Sequence, residues 1–246
     1  MKKELTAEEL EQAQTVIEES IYDYAEKAGL SNDKIQPITD GIYSAKLYLE
    51  SPIKVMWVLK EPYDDNDENG DPKGGGWSIP KDCFGSENAL KNKTWQQIIY
   101  TMYGLFNKLS WKQMEYIRDN KAMGEVLKQI AYINISKMPA QTNSSEAPIA
   151  SYYETWKQIL WKQIDLYKPD VIVFGYTFEY FRNDFFNSEN AIPLKKYEIE
   201  DIDYLDVYKK DKLLLLDTYH PNAHQRGFRQ ENYVTSIISA INEFIK

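Results

Sequence analysis

Apolar positions along this chain fall into two patterns. Val55-Met-Trp-Val-Leu59, Ile130-Ala-Tyr-Ile-Asn-Ile135, Val171-Ile-Val-Phe-Gly175 and Leu213-Leu-Leu-Leu-Asp217 are short continuous runs without alternation, as expected of strands buried on both faces of a parallel sheet. Between them the apolar residues recur at helical spacing. Leu10, Val16, Ile17, Ile21 and Tyr24 place an amphipathic helix over residues 6 to 28, with Thr6 and Glu9 set as a capping box and Gly29 as its stop. Thr94 to Phe106, Trp111 to Ile117, Ala122 to Gln129, Ile149 to Tyr167 and Tyr233 to Ile245 read as further helical segments. Residues 30 to 52, punctuated by Pro37, Gly41 and Pro52, and residues 176 to 211 are mixed and carry no clear period.

Strands alternating with helices imply right-handed crossovers and a three-layer α/β/α sandwich around a central four-stranded, mostly parallel sheet. No repeat, low-complexity tract or linker divides the chain, so residues 1 to 246 are expected to form one domain, with residues 1 to 52 a helical extension packed on it. A length of 246 residues, 43% hydrophobic and 14% aromatic, suffices for a core of its own.

Composition narrows the function. One cysteine, Cys83, excludes an internal disulfide framework and a cysteine-ligated iron-sulfur cluster, which suits a reducing cytoplasm. The polar start Met1-Lys-Lys-Glu-Leu is unlike a signal peptide, and no apolar run approaches a membrane span. A cytoplasmic monomer with no membrane partner is expected. The net charge of −9 argues against broad electrostatic attachment to nucleic acid, so any such contact has to be local.

Polar residues just after the strands are the functional candidates, because ligands of open α/β sheets bind at the carboxyl ends of the strands. Pro62 stiffens the chain after the first strand, placing Glu61, Tyr63 and Asp64 on the rim; Glu61 is either a functional carboxylate or part of a solvated acidic turn. The following segment, Asp64 to Pro80, is rich in acids and glycine, but its spacing does not fit an EF-hand. It reads as a flexible loop in which Trp77, after three glycines, is either a stacking lid or an anchor to the core. Asn134, at the end of an apolar strand, must find hydrogen-bond partners in the backbone or in a ligand. His220 and His224, the only histidines, share the last loop, where Pro221 opposes the helix that a His-x-x-x-His metal site needs. His220 either donates to developing negative charge or caps a turn, with Arg226 and Arg229 close by.

The set Lys60-Glu61-Pro62-Tyr63, Trp77-Ser-Ile, Asn134, Asn143-Ser144 and His220-Pro-Asn with Arg226-Gly-Phe228 resembles the uracil-DNA glycosylase superfamily over residues 53 to 245. The likeness is greatest to the branch whose first motif reads Gly-Gln-Asp-Pro-Tyr-His and whose last reads His-Pro-Ser-Pro-Leu-Ser, followed by Arg-Gly-Phe. The resemblance implies that Glu61 stands for the water-activating aspartate and His220 for the histidine that stabilises the departing uracil anion. It implies that Tyr63 screens the methyl position, that Trp77 stacks on the flipped base and that Asn134 reads the base edge. Asn143, Ser144, Pro221, Asn222, His224, Arg226 and Gly227 then fall on loops that touch DNA.

The implied activity is hydrolysis of the N-glycosidic bond of uracil or a related base in DNA or a nucleotide, with no metal or organic cofactor. In this chain Leu59 and Lys60 stand for Gly-Gln, Asp64 for a histidine, and Glu61 is one methylene longer than aspartate. A catalytically weak or inactive binder of nucleic acid or nucleosides is the alternative. A serine hydrolase of α/β type would need a Gly-x-Ser-x-Gly motif that the chain lacks.

Overall fold

A computed structural model describes residues 5–64, 66, 69–140, 147–188 and 191–245. The chain is an α/β protein whose sheet is larger than the sequence implies: seven strands rather than four, in the order β1-β3-β2-β4-β7-β6-β5. The four expected strands, β2 (Val55–Leu59), β3 (Ala131–Asn134), β4 (Val171–Gly175) and β7 (Leu213–Thr218), are all present. They lie side by side, parallel, as the centre. β1 (Gly41–Ile42) extends one edge antiparallel to β3. The hairpin of β5 (Lys195–Ile199) and β6 (Ile202–Lys210) extends the other, antiparallel to β7.

Side chains alternate across this sheet and create two cores. On one face Val55, Trp57, Leu59, Val173 and Leu216 pack beneath α4 (Lys93–Asn107) and α7 (Gln230–Phe244), together with a 3-10 segment at Lys121–Gln129. On the other, Met56, Val58, Ile133, Ile172 and Phe174 pack beneath α1 (Ala7–Lys27), α2 (Ala45–Leu49), α5 (Ala147–Tyr167) and α6 (Phe178–Phe186). All five residues of β2 are buried, which is why its sequence shows no period of two. α1 begins at the expected capping box: the Glu9 N–H donates to the Thr6 hydroxyl at 3.1 Å and the Thr6 N–H donates back to the Glu9 carboxylate at 2.8 Å. α3 (Glu87–Lys91) is a short turn ahead of α4. Among the described residues no helix is long and apolar enough to cross a membrane.

The N-terminal segment is woven into the sheet by more than packing. Asp40, just before β1, is fully buried beside Lys137, just beyond β3, and the two form an ion pair at 2.7 Å. The Asp40 carboxylate also accepts the Asn134 backbone N–H at 2.7 Å and the Gln163 side-chain N–H at 2.7 Å. Lys137 donates in addition to the Asn134 carbonyl at 2.8 Å and to Gln163 Oε1 at 2.9 Å. Every donor and acceptor of the pair is thus engaged, the condition under which a buried ion pair is tolerable. Burial pushes the Lys137 ammonium below its usual pKa while Asp40 pulls it back.

Asp40→Ala strands a buried ammonium and a backbone N–H, and is expected to cost about 3–5 kcal/mol of stability. The check is the urea unfolding midpoint at unchanged slope; a midpoint equal to that of the wild type removes the pair from this role.

Candidate functional site

Beyond the carboxyl end of β2 the chain does not wander. Ile135 and Ser136 N–H groups donate to the Leu59 and Lys60 carbonyls at 2.9 Å each, the Ala140 N–H donates to the Pro62 carbonyl at 2.9 Å, and Tyr63 bridges Ala140. The stiff loop expected from Pro62 is therefore clamped to the segment after β3. Glu61 sits in it 8% exposed, with both carboxylate oxygens buried and no hydrogen-bond partner among the described residues.

Trp77 is delivered by a strap of glycines. Gly74, Gly75 and Gly76 have φ of 82°, 80° and 79°, in the region open to glycine. A Cβ on Gly74 or Gly75 would lie 1.9 or 2.0 Å from the Lys34 or Gln36 carbonyl oxygen. Gly74 and Gly75 therefore serve close backbone approach to Lys34 and Gln36. Asp64 holds the strap, accepting the Gly74 and Gly75 N–H groups at 2.6 and 3.1 Å and the Trp77 indole N–H at 3.4 Å. The Trp77 carbonyl accepts the Thr39 N–H at 3.0 Å, which couples the strap to the chain just before Asp40. Half-buried, Trp77 is both anchored and exposed to a cavity.

That cavity, of about 750 Å³, brings together Glu61, Tyr63, Trp77 and His220. Its volume suits a small organic ligand. Tyr132 and Trp95, with ring centroids 4.5 Å apart, form part of its wall. Asn134 does not line it: the side chain lies on the Tyr132 side of the sheet, 0% exposed, and its Oδ1 accepts the Tyr132 hydroxyl at 3.4 Å. Its Nδ2 is buried without a partner among the described residues. Tyr132 and Leu59, its neighbours in the sheet, are what the cavity meets. Tyr63 is 52% exposed and so stands at the mouth rather than deep in the hollow.

His220 follows β7 and packs over Gly175, where a Cβ would come within 3.0 Å of Pro221 Cδ and 2.2 Å of Leu59 Cδ2. Its Nδ1 accepts the Asn222 N–H at 3.1 Å, which assigns the proton to Nε2. Burial, the Lys60 ammonium and His224 together lower its pKa from 6.5 to about 4. A neutral imidazole with one N–H donor is thus fixed at the cavity.

The rest of the last loop serves other places. Residues 220 to 224 form a turn closed by the Ala223 N–H on the His220 carbonyl at 2.8 Å, and among the described residues no cluster of three metal-ligating side chains occurs. Buried Pro221 joins Asn222 and His224 at a smaller groove of about 280 Å³ with Lys93 and Gln97 of α4. Arg226 and Gly227 are exposed at the tip, and Arg229 pairs with Glu200 at 3.5 Å. Phe228 turns inward against Tyr204, Tyr219 and Tyr233. Asn143 and Ser144 lie outside the described residues.

Asp64, expected on the loop after the first strand, lines the cavity; sequence reading missed Tyr132 and Cys83, which line it too. Tyr132 looked like strand core; only its place beside Trp95 at the cavity wall distinguishes it. The chain matches no protein-family model and no curated protein.

Because the folded-state pKa of His220 lies below that of free imidazole, stability is full above pH 6.5 and falls as pH drops from 6.5 through about 4. Imidazole NMR titration is expected to give a midpoint near 4, moving upward in Lys60→Met. A midpoint of 6.5 in the wild type contradicts the buried, neutral assignment.

Proposed function

We propose that the cavity binds a nucleobase and that the protein hydrolyses its N-glycosidic bond, as a glycosylase of the uracil-DNA glycosylase type acting on uracil or a related base. One observation carries this reading: an unpartnered buried carboxylate and a neutral imidazole N–H donor line one hollow beside an aromatic side chain.

The chemistry asks for that combination. As the bond to the base breaks, positive charge grows on the sugar and negative charge on the departing ring. Glu61 on the sugar side favours the cation and orients the attacking water. His220 Nε2–H on the other side donates to the ring oxygen, as an oxyanion-hole donor does, worth about 3–4 kcal/mol. Extruding a base from its stack costs a few kcal/mol, and stacking on Trp77 returns about 1–3 kcal/mol of that. Neither carboxylate nor imidazole needs a metal ion for these roles.

Asn134 would read the base edge only if Tyr132 yields, since the tyrosine stands between the amide and the hollow. That arrangement favours a second reading, a binder of nucleosides or nucleic acid that releases no base.

The experiment is incubation with a uracil-containing oligonucleotide, followed by alkaline cleavage at abasic sites. Abasic product is expected with the wild type, reduced about 10²–10³-fold in His220→Ala and further in the double variant with Glu61→Ala. Binding without product selects the second reading. Product undiminished in the double variant overturns the assignment of the two residues.

A further inference from the structure

The cavity is larger than the chemistry assigned to it requires. Its volume of about 750 Å³ lies well inside the range of hollows that enclose a whole small-molecule ligand. Glu61, Trp77 and His220 account for a base and the bond to it, and the side chains of the remaining wall are of another kind.

That wall comes from α3 and the start of α4, where Ser86, Asn88, Asn92 and Thr94 line the cavity. Trp95, the next residue, holds it in place against Tyr132, with ring centroids 4.5 Å apart. Two of the four side chains use an oxygen to start a helix: Ser86 Oγ accepts the Ala89 N–H at 3.2 Å and Asn92 Oδ1 accepts the Thr94 N–H at 2.9 Å. Their donors, the Ser86 hydroxyl and the Asn92 Nδ2, are left over. The Asn88 amide and the Thr94 hydroxyl hydrogen-bond to no described residue. Amides and hydroxyls both donate and accept, which matches them to the hydroxyls of a sugar. Glu61, 8% exposed with both oxygens unpartnered among the described residues, opens on the same hollow.

Charge narrows the ligand further. Among the described lining residues Glu61, Asp64 and Asp82 bring three carboxylates and Lys73 the one ammonium, while His220 stays neutral. Asp64 is tied to the Gly74 and Gly75 N–H groups, and Asp82 accepts the Ser78 N–H at 2.7 Å, so both charges are fixed in place. A concave surface with an excess of one sign focuses its field on what enters. A phosphate attached to the sugar meets that field, and a bare sugar does not.

We propose that the cavity takes an uncharged nucleoside whole, with the base against Trp77 and His220 and the sugar hydroxyls against Asn88, Asn92 and Thr94, so that free nucleosides are preferred to nucleotides and to DNA strands. The proposal rests on reading the cavity as a nucleobase site. In the reaction water divides across the glycosidic bond, its hydroxyl going to the anomeric carbon and its proton to the base, and free pentose and free base leave.

The test uses pseudouridine, whose carbon–carbon glycosidic bond resists hydrolysis, so that calorimetry reads binding without base release. Pseudouridine is expected to bind at least tenfold more tightly than its 5′-monophosphate, by a margin that narrows with added salt. Thr94→Val and Asn88→Leu remove hydrogen-bonding groups while keeping bulk. Each is expected to weaken pseudouridine binding about three- to tenfold and to leave unchanged the affinity for uracil, which has no sugar. Asp82→Asn keeps an acceptor for the Ser78 N–H and is expected to raise the affinity for the monophosphate alone. A monophosphate that binds as tightly as pseudouridine, or Thr94 and Asn88 variants that keep both ligands at wild-type affinity or lose both alike, overturns the nucleoside assignment. Abasic product from a uracil-containing oligonucleotide with no pseudouridine binding leaves the glycosylase reading standing and the nucleoside site refuted; pseudouridine binding with these variant effects but no base release from uridine or oligonucleotide does the reverse.

Discussion

The ion pair between Asp40 and Lys137 is the constraint on which the arrangement of this molecule hangs. It lies where three separate stretches meet: the approach to β1, the exit from β3 and the C-terminal part of α5, with Gln14 of α1 donating to the Asp40 carbonyl at 3.2 Å. Removing two charges from water is costly unless their hydrogen-bonding capacity is filled. Here it can be filled only if the Asn134 backbone, Gln163 and the segment around residue 40 stand where they do. The pair is therefore less a source of net stability than a device that permits one arrangement. That arrangement fixes the end of β3, to which the Glu61 loop is clamped, and the chain at Thr39, to which the Trp77 strap is hydrogen-bonded. Two walls of the cavity are set from one buried point.

A second buried carboxylate supplies the contrast. Asp40 is 1% exposed with every oxygen engaged, whereas Glu61 is 8% exposed with neither oxygen engaged. Native proteins rarely leave buried polar groups unpaired, so the difference in satisfaction at similar burial is what supports the role proposed for Glu61. The same logic applies to the imidazole. One nitrogen of His220 is committed to its own turn, and that commitment orients the other as a donor.

How much of this could be read from residue order follows from the range of the interactions involved. The parallel strands were legible because burial on both faces writes an unbroken apolar run, and α1, α4, α5 and α7 because one buried stripe writes a period of 3.6. The hairpin β5–β6 was not. Its two-residue turn, Glu200-Asp201, takes φ of 53° and 61° with acids where Asn-Gly would have signalled it, and β5, half-exposed at the edge, carries Lys195, Lys196 and Glu198. β1 is two residues long, too short to show a period. At the site, proline and histidine punctuation after strands disclosed Glu61, Tyr63 and His220. The roles of Asp40 and Lys137 stayed hidden because their partners lie 97 positions apart in the chain. Asn134, an oddity by sequence, is explained in part by that pair through its backbone and by Tyr132 through its Oδ1, while its Nδ2 has no partner among the described residues.

Charge completes the physical picture. A net charge of −9 opposes the approach of a polyanion, and beyond roughly 10 Å salt screens even that repulsion. What decides encounter is then the local field at the cavity mouth. Lys60 precedes Glu61 in the chain, and Lys93 and His224 line the smaller groove. A few cations against a general negative background attract a short stretch of phosphates and little else. Affinity for nucleic acid in general would then be low, leaving discrimination to what enters the hollow between Glu61, Trp77 and His220. The acidity that argues against a broad nucleic-acid interface is in this way compatible with the reading proposed for the cavity, in which recognition is confined to a single base.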